Sequence, residues 1–250
     1  MKKVLIRADD LGFSKAVNLG IAETVRNGLV RSVGIMTNMP EAENGVAMLK
    51  GCHVCYGQHT NICAGIPLSD PARIPTLIGE NGEFKTSAEY RAAFKEGREV
   101  VDLDEVILEI EAQYERFVEL TGDKPHYFEG HAVASVNFNK GLEIVARRHN
   151  VDYLPLAFEP IVFKNSTIRI HVDSMTPDYD PYASLRKLIL DSDEDIVDVF
   201  VAHPGYLDAY ILKHSSLTVN RALEVDMLTD QKLIQWISEQ DVELVTYDNL

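Results

Sequence analysis

Cysteine and tryptophan are scarce in this chain of 250 residues. It has one tryptophan and three cysteines, Cys52, Cys55 and Cys63. Three cysteines cannot all pair within one chain, and small disulfide-stabilised folds are much richer in cysteine. Cys52 and Cys55 are spaced like half of a zinc knuckle, but no second cysteine pair completes four sulfur ligands. The pattern therefore predicts buried, unreactive thiols, and it excludes a disulfide framework.

The chain also lacks positive charge and long apolar runs. Its 24 Lys and Arg residues are outnumbered by 39 Asp and Glu residues, which gives a formal net charge of -15. Nucleic-acid binding depends on clustered basic residues, so we expect no nucleic-acid partner. No apolar stretch approaches the roughly 20 residues that span a bilayer, and no signal-peptide pattern follows Met1. We expect a cytoplasmic protein that acts on a neutral or cationic small molecule.

Internal repeats and low-complexity segments are absent as well, and the length suits one domain over residues 1–250. Strand-like apolar runs alternate with helical patterns, which is typical of a parallel sheet wrapped by helices. We therefore predict an α/β fold resembling a TIM barrel, either complete or distorted. Eight strands are predicted, at 3–8, 30–37, 54–59, 126–129, 151–154, 168–172, 196–202 and 242–247. Helices are predicted at 14–28, 40–49, 102–120, 139–149, 181–190 and 226–239.

Residues that can bind a cation or move a proton occur where several of these strands end. Asp9 and Asp10 follow the first strand, and His59, His131 and His203 follow later ones. The carboxyl ends of parallel strands meet at one rim, so these side chains are expected to converge. Residues 61–85, rich in proline and glycine, are expected to form a long ordered loop over that rim.

Each of these residues also has a simpler structural interpretation. An Asp directly before a helix commonly caps it, and this alternative is about as good for Asp9 and Asp10 taken alone. A single histidine at a strand end is more often hydrogen-bonded to protein than bound to a metal. The coincidence of all five residues at strand ends favours a site.

Several motifs together give the chain a family resemblance from end to end. The main ones are Ala8-Asp9-Asp10-Leu11-Gly12-Phe13-Ser14, Asn18-x-Gly20-Ile21, Asn38-x-Pro40, Gly57-x-His59, Gly65-Ile66-Pro67-Leu68, Lys124-Pro125-His126 and His203-Pro204-Gly205. On these residues the chain resembles the YdjC/ChbG-like carbohydrate deacetylases. The resemblance implies a barrel-like α/β fold and hydrolysis of an N-acetyl group from an acetylated sugar.

The resemblance also implies one divalent cation held by Asp10, His59 and His131, with Asp9 as the base. Two imidazole ligands and one carboxylate favour zinc or another transition metal and leave positions open for substrate. The resemblance to the family keeps magnesium as an alternative. Asp9 would take a proton from the attacking water, and His203 would act as general acid for the departing amine.

Three further residues are candidates for substrate binding. Phe13 and Tyr206 are aromatic residues beside the predicted site that could stack on a sugar ring, although packing is the commoner use of such residues. Asn38 belongs to one of the shared motifs. A homodimer is predicted only because it is the usual symmetric assembly.

Two stretches differ from the family pattern and keep other functions open. Family members usually have Asp-Ser-His and further histidines at strand four, where this chain has Glu129-Gly130-His131 followed by Ala132. An Arg is common after strand five, where this chain has Tyr153-Leu154-Pro155. The alternatives are a metal-dependent hydrolase of a different amide or ester on the same scaffold, and a non-catalytic carbohydrate-binding relative.

Overall fold

A buried strand at the start of the chain forms the centre of the sheet. In β1 (Lys2–Leu11) every residue from Val4 onward is buried, because the strand is covered on both faces. The computed structural model, which describes all 250 residues, pairs one side of β1 with β7 (Ile196–Ala202). The other side is shared: β8 (Val242–Val245) pairs with residues 2–5, and β2 (Ser32–Ile35) pairs from Arg7 to Leu11.

The remaining strands extend this sheet in both directions without closing it. They are β3 (Cys55–Thr60), β4 (Phe128–Gly130), β5 (Ile161–Phe163) and β6 (Ser166–His171). The strand order is β4-β3-β2-β1-β7-β6-β5, and all pairs are parallel except the β5–β6 hairpin. Because β4 and β5 stay unpaired with each other, the sheet is a curled half-barrel, and the prediction of a distorted, barrel-like α/β fold is confirmed.

One predicted strand is wrong. Residues 151–154 make only a single parallel bridge, between Tyr153 and Phe128. Leu154 donates its backbone N–H to Phe128, but Pro155 follows and has no N–H to extend the ladder. The eighth strand of the sheet is instead β5, which is short and antiparallel.

Nine α-helices surround the sheet. They are α1 (Lys15–Asn27), α2 (Ala42–Met48), α3 (Ser87–Lys95), α4 (Leu103–Thr121), α5 (Val136–Arg148), α6 (Pro181–Asp191), α7 (Ala209–His214), α8 (Val219–Thr229) and α9 (Gln231–Ser238). Ser14 caps α1 as predicted, since its side chain accepts a hydrogen bond from the Val17 N–H at 3.2 Å. The predicted helix at 226–239 is two helices, because Asp230 ends α8 and caps α9. Neither α3 nor α7 was predicted. None of the nine helices combines the length and apolar character that a membrane crossing requires.

The predicted long loop runs between β3 and α3 and is fixed to α4. The carboxylate of Glu109 on α4 is fully buried and accepts hydrogen bonds from the backbone N–H groups of Leu68, at 3.1 Å, and Ser69, at 2.9 Å. Gln113, one turn later, hydrogen-bonds to both the N–H and the carbonyl of Asn61. These buried polar contacts make the loop a fixed wall of the rim.

A buried ion pair between β6 and β7 gives a testable contribution to stability. Asp198 is 1% exposed and accepts hydrogen bonds from Arg169 at 2.7 Å and His171 at 2.8 Å. Burial opposes ionisation of Asp198, but these two partners outweigh it and lower its pKa to about 2. A carboxyl whose pKa is depressed by folding stabilises the protein above its unfolded pKa, and loses that contribution as pH falls through the folded pKa.

We therefore expect Asp198→Asn to lower the free energy of unfolding by roughly 2 kcal/mol at pH 7. The difference in the free energy of unfolding between the variant and the parent should narrow as pH falls from 4 towards 2. Urea titrations at a series of pH values measure this gap. Asp195→Asn, at an exposed position directly before β7, is the matched control and should have no such effect. An Asp198→Asn gap that stays constant down to pH 2 would contradict the assignment.

Candidate active site

The carboxyl ends of β1, β3, β4 and β7 open into one cavity of about 270 Å³. Its walls include all five of the residues that the sequence singled out for chemistry: Asp9, Asp10, His59, His131 and His203. They come from four different strand ends, as expected for a site at the rim of a parallel sheet. The cavity therefore brings these five side chains together.

Asp10, His59 and His131 aim one donor atom each at a common point. The distances are 3.3 Å from Asp10 Oδ1 to His59 Nε2, 3.2 Å from Asp10 Oδ1 to His131 Nδ1, and 2.8 Å between the two nitrogens. Donors bound to one cation at about 2.0–2.2 Å must lie roughly 3 Å apart. Asp10 Oδ1 is also buried without a hydrogen-bond partner, a costly arrangement unless a ligand completes it. The three donors fit a divalent cation. We call these three residues the Asp10 triad site.

The carboxylate of Asp10 is held in place from behind. Its second oxygen, Oδ2, accepts a hydrogen bond at 2.6 Å from Arg221 on α8, and both side chains are almost fully buried. Burial alone would raise the pKa of Asp10, but the guanidinium of Arg221 outweighs it and holds the pKa well below its usual value. Asp10 also has φ of 76°, a left-handed conformation that is uncommon outside glycine. Backbone strain of this kind collects at functional sites.

His59 is backed by a second carboxylate. Its Nδ1 contacts Glu129 Oε1 on β4, which leaves Nε2 directed at the triad site. Burial disfavours the charged imidazole, but Glu129 and Asp9 outweigh it and raise the pKa of His59 well above its usual value. The pKa of His131 is likewise raised, to about 9, with burial opposed mainly by Asp10. A cation must therefore displace protons from both imidazoles, so it binds less tightly at lower pH.

Asp9 lies beside the triad and has a free oxygen. Its Oδ2 accepts a hydrogen bond from Arg7 at 2.7 Å, and Arg7 is fixed in turn by the Tyr247 hydroxyl at 3.2 Å. The other oxygen, Oδ1, is buried and has no hydrogen-bond partner. The carboxylate is thus anchored through Oδ2 and has no partner at Oδ1, which leaves Oδ1 able to accept a proton.

His203 is held by the turn that follows β7. Gly205, in this turn, packs closely against α1. A Cβ on Gly20 of α1 would lie 2.5 Å from the Gly205 Cα, so position 20 requires glycine. The N–H of His203 donates to the buried Glu224 carboxylate at 2.6 Å. Burial lowers the pKa of His203 to about 4, so its imidazole is neutral at pH 7.

Comparison with known proteins finds relatives along almost the whole chain. The family model described as YdjC-like protein matches residues 3–239. The chain belongs to the YdjC-like family. A carbohydrate deacetylase of Thermoanaerobacter pseudethanolicus is 30% identical over 260 aligned positions, which cover 100% of both chains. A chitooligosaccharide deacetylase of Proteus mirabilis is 29% identical, with 99% of this chain and 98% of that protein covered.

A solved structure supports the fold. The crystal structure of an Enterococcus faecalis V583 protein, described as a candidate for cellobiose-phosphate cleavage, superposes with a TM-score of 0.81 at 21% identity. The superposition covers 99% of this YdjC-like chain and 98% of that one. At this identity the likeness concerns the fold, and it agrees with the curled half-barrel.

The three residues predicted to bind substrate lie in different places in this YdjC-like fold. Phe13 lines the cavity and meets the His131 ring edge to face, with the ring centroids 6.2 Å apart. Asn38 is outside the cavity wall, and its amide donates to the carbonyls of Ala64 and Ile66 in the long loop. Tyr206 is also outside the wall and 43% exposed.

Sequence reasoning missed the residues that support the site of this YdjC-like protein. Arg7 and Glu129 each stand two positions before a predicted site residue on a strand, so they face the same side. The alternation of side chains along a strand therefore indicates both Arg7 and Glu129 from the sequence. Arg221 lies on a helix 211 positions from its partner Asp10, and Ser174, which contacts His203, lies in a loop. No spacing in the sequence marks either one.

Proposed function

We propose that the protein is a metal-dependent hydrolase that removes the N-acetyl group from an acetylated amino sugar or oligosaccharide. The observation that carries the proposal is the Asp10 triad site, three donor atoms 2.8–3.3 Å apart at the base of a single cavity. Relatives named carbohydrate deacetylase match over the full length of the chain and support the reaction class.

A divalent cation in the triad site would supply a Lewis acid for the acetamide carbonyl and a source of hydroxide at neutral pH. The protein's own residues do the rest. Asp9 Oδ1 accepts a proton as the water oxygen bonds to the carbonyl carbon, while Arg7 holds the other carboxylate oxygen, Oδ2. The C–N bond then breaks, the amine takes up a proton, and the products are acetate and an amino sugar.

His203 is the second polar group proposed to face the reacting amide. Its imidazole lines the same cavity as Asp9 and is neutral at pH 7, so it offers one N–H and one lone pair. Which of these faces the substrate depends on its tautomer. Phe13 and the apolar residues Leu154, Ile170 and Val172 form the walls against which an acetyl group or a sugar ring would pack.

The identity of the cation and the setting of the enzyme are finer proposals. Two imidazole ligands support zinc or another transition metal, with magnesium as the alternative that the family resemblance suggests. Location in the cytoplasm and assembly as a homodimer stay predictions from the sequence.

An acetate-release assay tests the proposed function. Purified protein is supplied in turn with zinc, manganese or magnesium, and offered N-acetylglucosamine, chitobiose, longer chitooligosaccharides, their phosphorylated forms and simple acetyl esters. We expect metal-dependent acetate release from at least one N-acetyl sugar, abolished by chelation. Cation binding with release only from esters or other amides would favour the alternative hydrolase, and no cation binding would leave only a non-catalytic relative.

A further inference from the structure

The His203 imidazole has one ring nitrogen bound by the protein and the other left free. Nδ1 lies 3.0 Å from the hydroxyl Oγ of Ser174, in the segment between β6 and α6. Ser174 is only 1% exposed. Nε2, on the opposite side of the ring, has no hydrogen-bond partner in the protein, while His203 lines the catalytic cavity.

The Ser174 segment is itself fixed to the helix that carries Arg221. Asn220 on α8 donates to the Ser174 carbonyl at 2.9 Å. The hydroxyl of Tyr179 donates at 2.8 Å to Glu224, the carboxylate that also binds the His203 N–H. One helix therefore positions both the imidazole and the hydroxyl that contacts it.

The buried position of Ser174 decides the direction of the hydrogen bond. Its hydroxyl has no partner other than His203 Nδ1. If Nδ1 carried the proton and donated to Oγ, the hydroxyl proton would be buried without an acceptor, which costs about 1–3 kcal/mol. If the hydroxyl donates to Nδ1, both the hydroxyl proton and Nδ1 are satisfied, and the single ring proton of a neutral imidazole sits on Nε2.

We propose that Ser174 is a positioning residue that donates to His203 Nδ1, and thereby makes neutral His203 present an Nε2–H donor to the reacting amide. This inference rests on the proposed function. His203 then stabilises developing negative charge by a hydrogen bond, without first being protonated. Proton transfer stays with Asp9, which takes the proton from water and returns it to the amine. This differs from the general-acid role that the sequence suggested for His203.

The charges around the imidazole agree with a neutral donor. Asp10 and Asp9 of β1 favour the charged ring, whereas Arg221 of α8 and His59 of β3 oppose it. Burial adds to the opposing side, and the net result is a pKa of about 4. A conventional general acid would need the charged form, which is scarce at neutral pH.

Nitrogen NMR of the zinc-loaded protein, labelled with ¹⁵N-histidine, reads the tautomer directly. The His203 signals are assigned by their loss in His203→Gln. We expect Nε2 to be protonated and Nδ1 to be unprotonated at pH 7 in the parent protein. A proton on Nδ1, or a doubly protonated ring at pH 7, would overturn the proposal, whatever the activity of the protein.

Three variants at position 174 separate hydrogen-bond direction from packing. Ser174→Thr keeps the donor, so the tautomer should persist and kcat should stay within about threefold of the parent. Ser174→Asp can only accept when ionised, so the proton should move to Nδ1 and kcat should fall by about a hundredfold, with a smaller change in KM. Ser174→Ala, which is safest for folding, should lose the fixed tautomer and show an intermediate kcat.

The two proposals can fail separately. If the parent releases no acetate from any sugar, the proposed function is wrong, and the NMR result still tests the Ser174 assignment. If Ser174→Asp leaves both the tautomer and kcat unchanged, the Ser174 assignment is wrong while the deacetylase function stands. Unfolding curves of each variant show whether a loss of kcat reflects a loss of fold.

Discussion

His59→Ala and His131→Ala should each lose most of the divalent cation that we propose for the parent protein. Each substitution removes one of only three protein donors, and the remaining pair of donors cannot close the triangle around the ion. Loss of a residue that only supports a metal ligand lowers metal affinity by up to about a hundredfold. Because these substitutions remove a ligand itself, we expect metal affinity to fall by at least that factor. Elemental analysis of purified protein measures the stoichiometry. Thermal unfolding with and without added zinc gives a second readout, because only a protein that binds the ion is stabilised by it.

His214→Ala is the matched control for these substitutions. His214 lines the outer part of the same cavity, but its ring stacks on Tyr210 and its Nδ1 contacts the Tyr210 carbonyl. Its loss should leave stoichiometry unchanged. At the third donor we would use Asp10→Asn, because alanine would leave the Arg221 guanidinium buried and unpaired, a defect that can unfold the chain. Unaltered metal content in His59→Ala, His131→Ala and Asp10→Asn would contradict the assignment of the triad site.

Glu129→Gln extends this test to the support of His59. The carboxylate of Glu129 contacts His59 Nδ1 and leaves Nε2 for the ion. Outer carboxylates of this kind are typically worth about 10–100-fold in metal affinity. We expect a loss in that range, smaller than for His59→Ala, when zinc is titrated against a competing chelator. Equal losses in the two variants would mean that Glu129 acts as a ligand itself.

The sequence predicted the site better than it predicted the supports of the site. Strand ends are visible as the point where an apolar run stops, and parallel strands bring those points to one rim. Asp10, His59 and His131 can therefore be grouped from the sequence alone. Arg221 could not, because its link to Asp10 depends on how α8 packs, and a helix position carries no mark of the residue that it will meet.

The fold shows the same division between local and long-range information. The apolar run at the start of the chain predicts a strand at 3–8, because the local sequence is enough. The run at 151–154 has similar composition, but Pro155 limits it to one bridge, and the short hairpin strand β5 takes its place in the count. Asn38 belongs to a shared motif, yet its amide holds the long loop and does not face the cavity.

Asp9→Asn should keep the cation and lose turnover. Asp9 is not one of the three triad donors, and an asparagine can still accept the hydrogen bond from Arg7. What the amide cannot do is take a proton from water at neutral pH. A general base contributes about 10²–10⁴-fold to rate, so we expect kcat to fall at least about a hundredfold while metal stoichiometry and KM change little.

The matched control for this prediction is Asp173→Asn. Asp173 is a half-buried carboxylate beside Ser174 that does not line the cavity, so its loss makes the same change of charge near the site without touching the base. Its kcat should stay within about threefold of the parent, since surface substitutions away from buried contacts have small effects. If Asp9→Asn releases acetate as fast as Asp173→Asn, the proton from water goes elsewhere. Glu129 would then be the carboxylate to test next, because it is the only other one that contacts both Arg7 and His59.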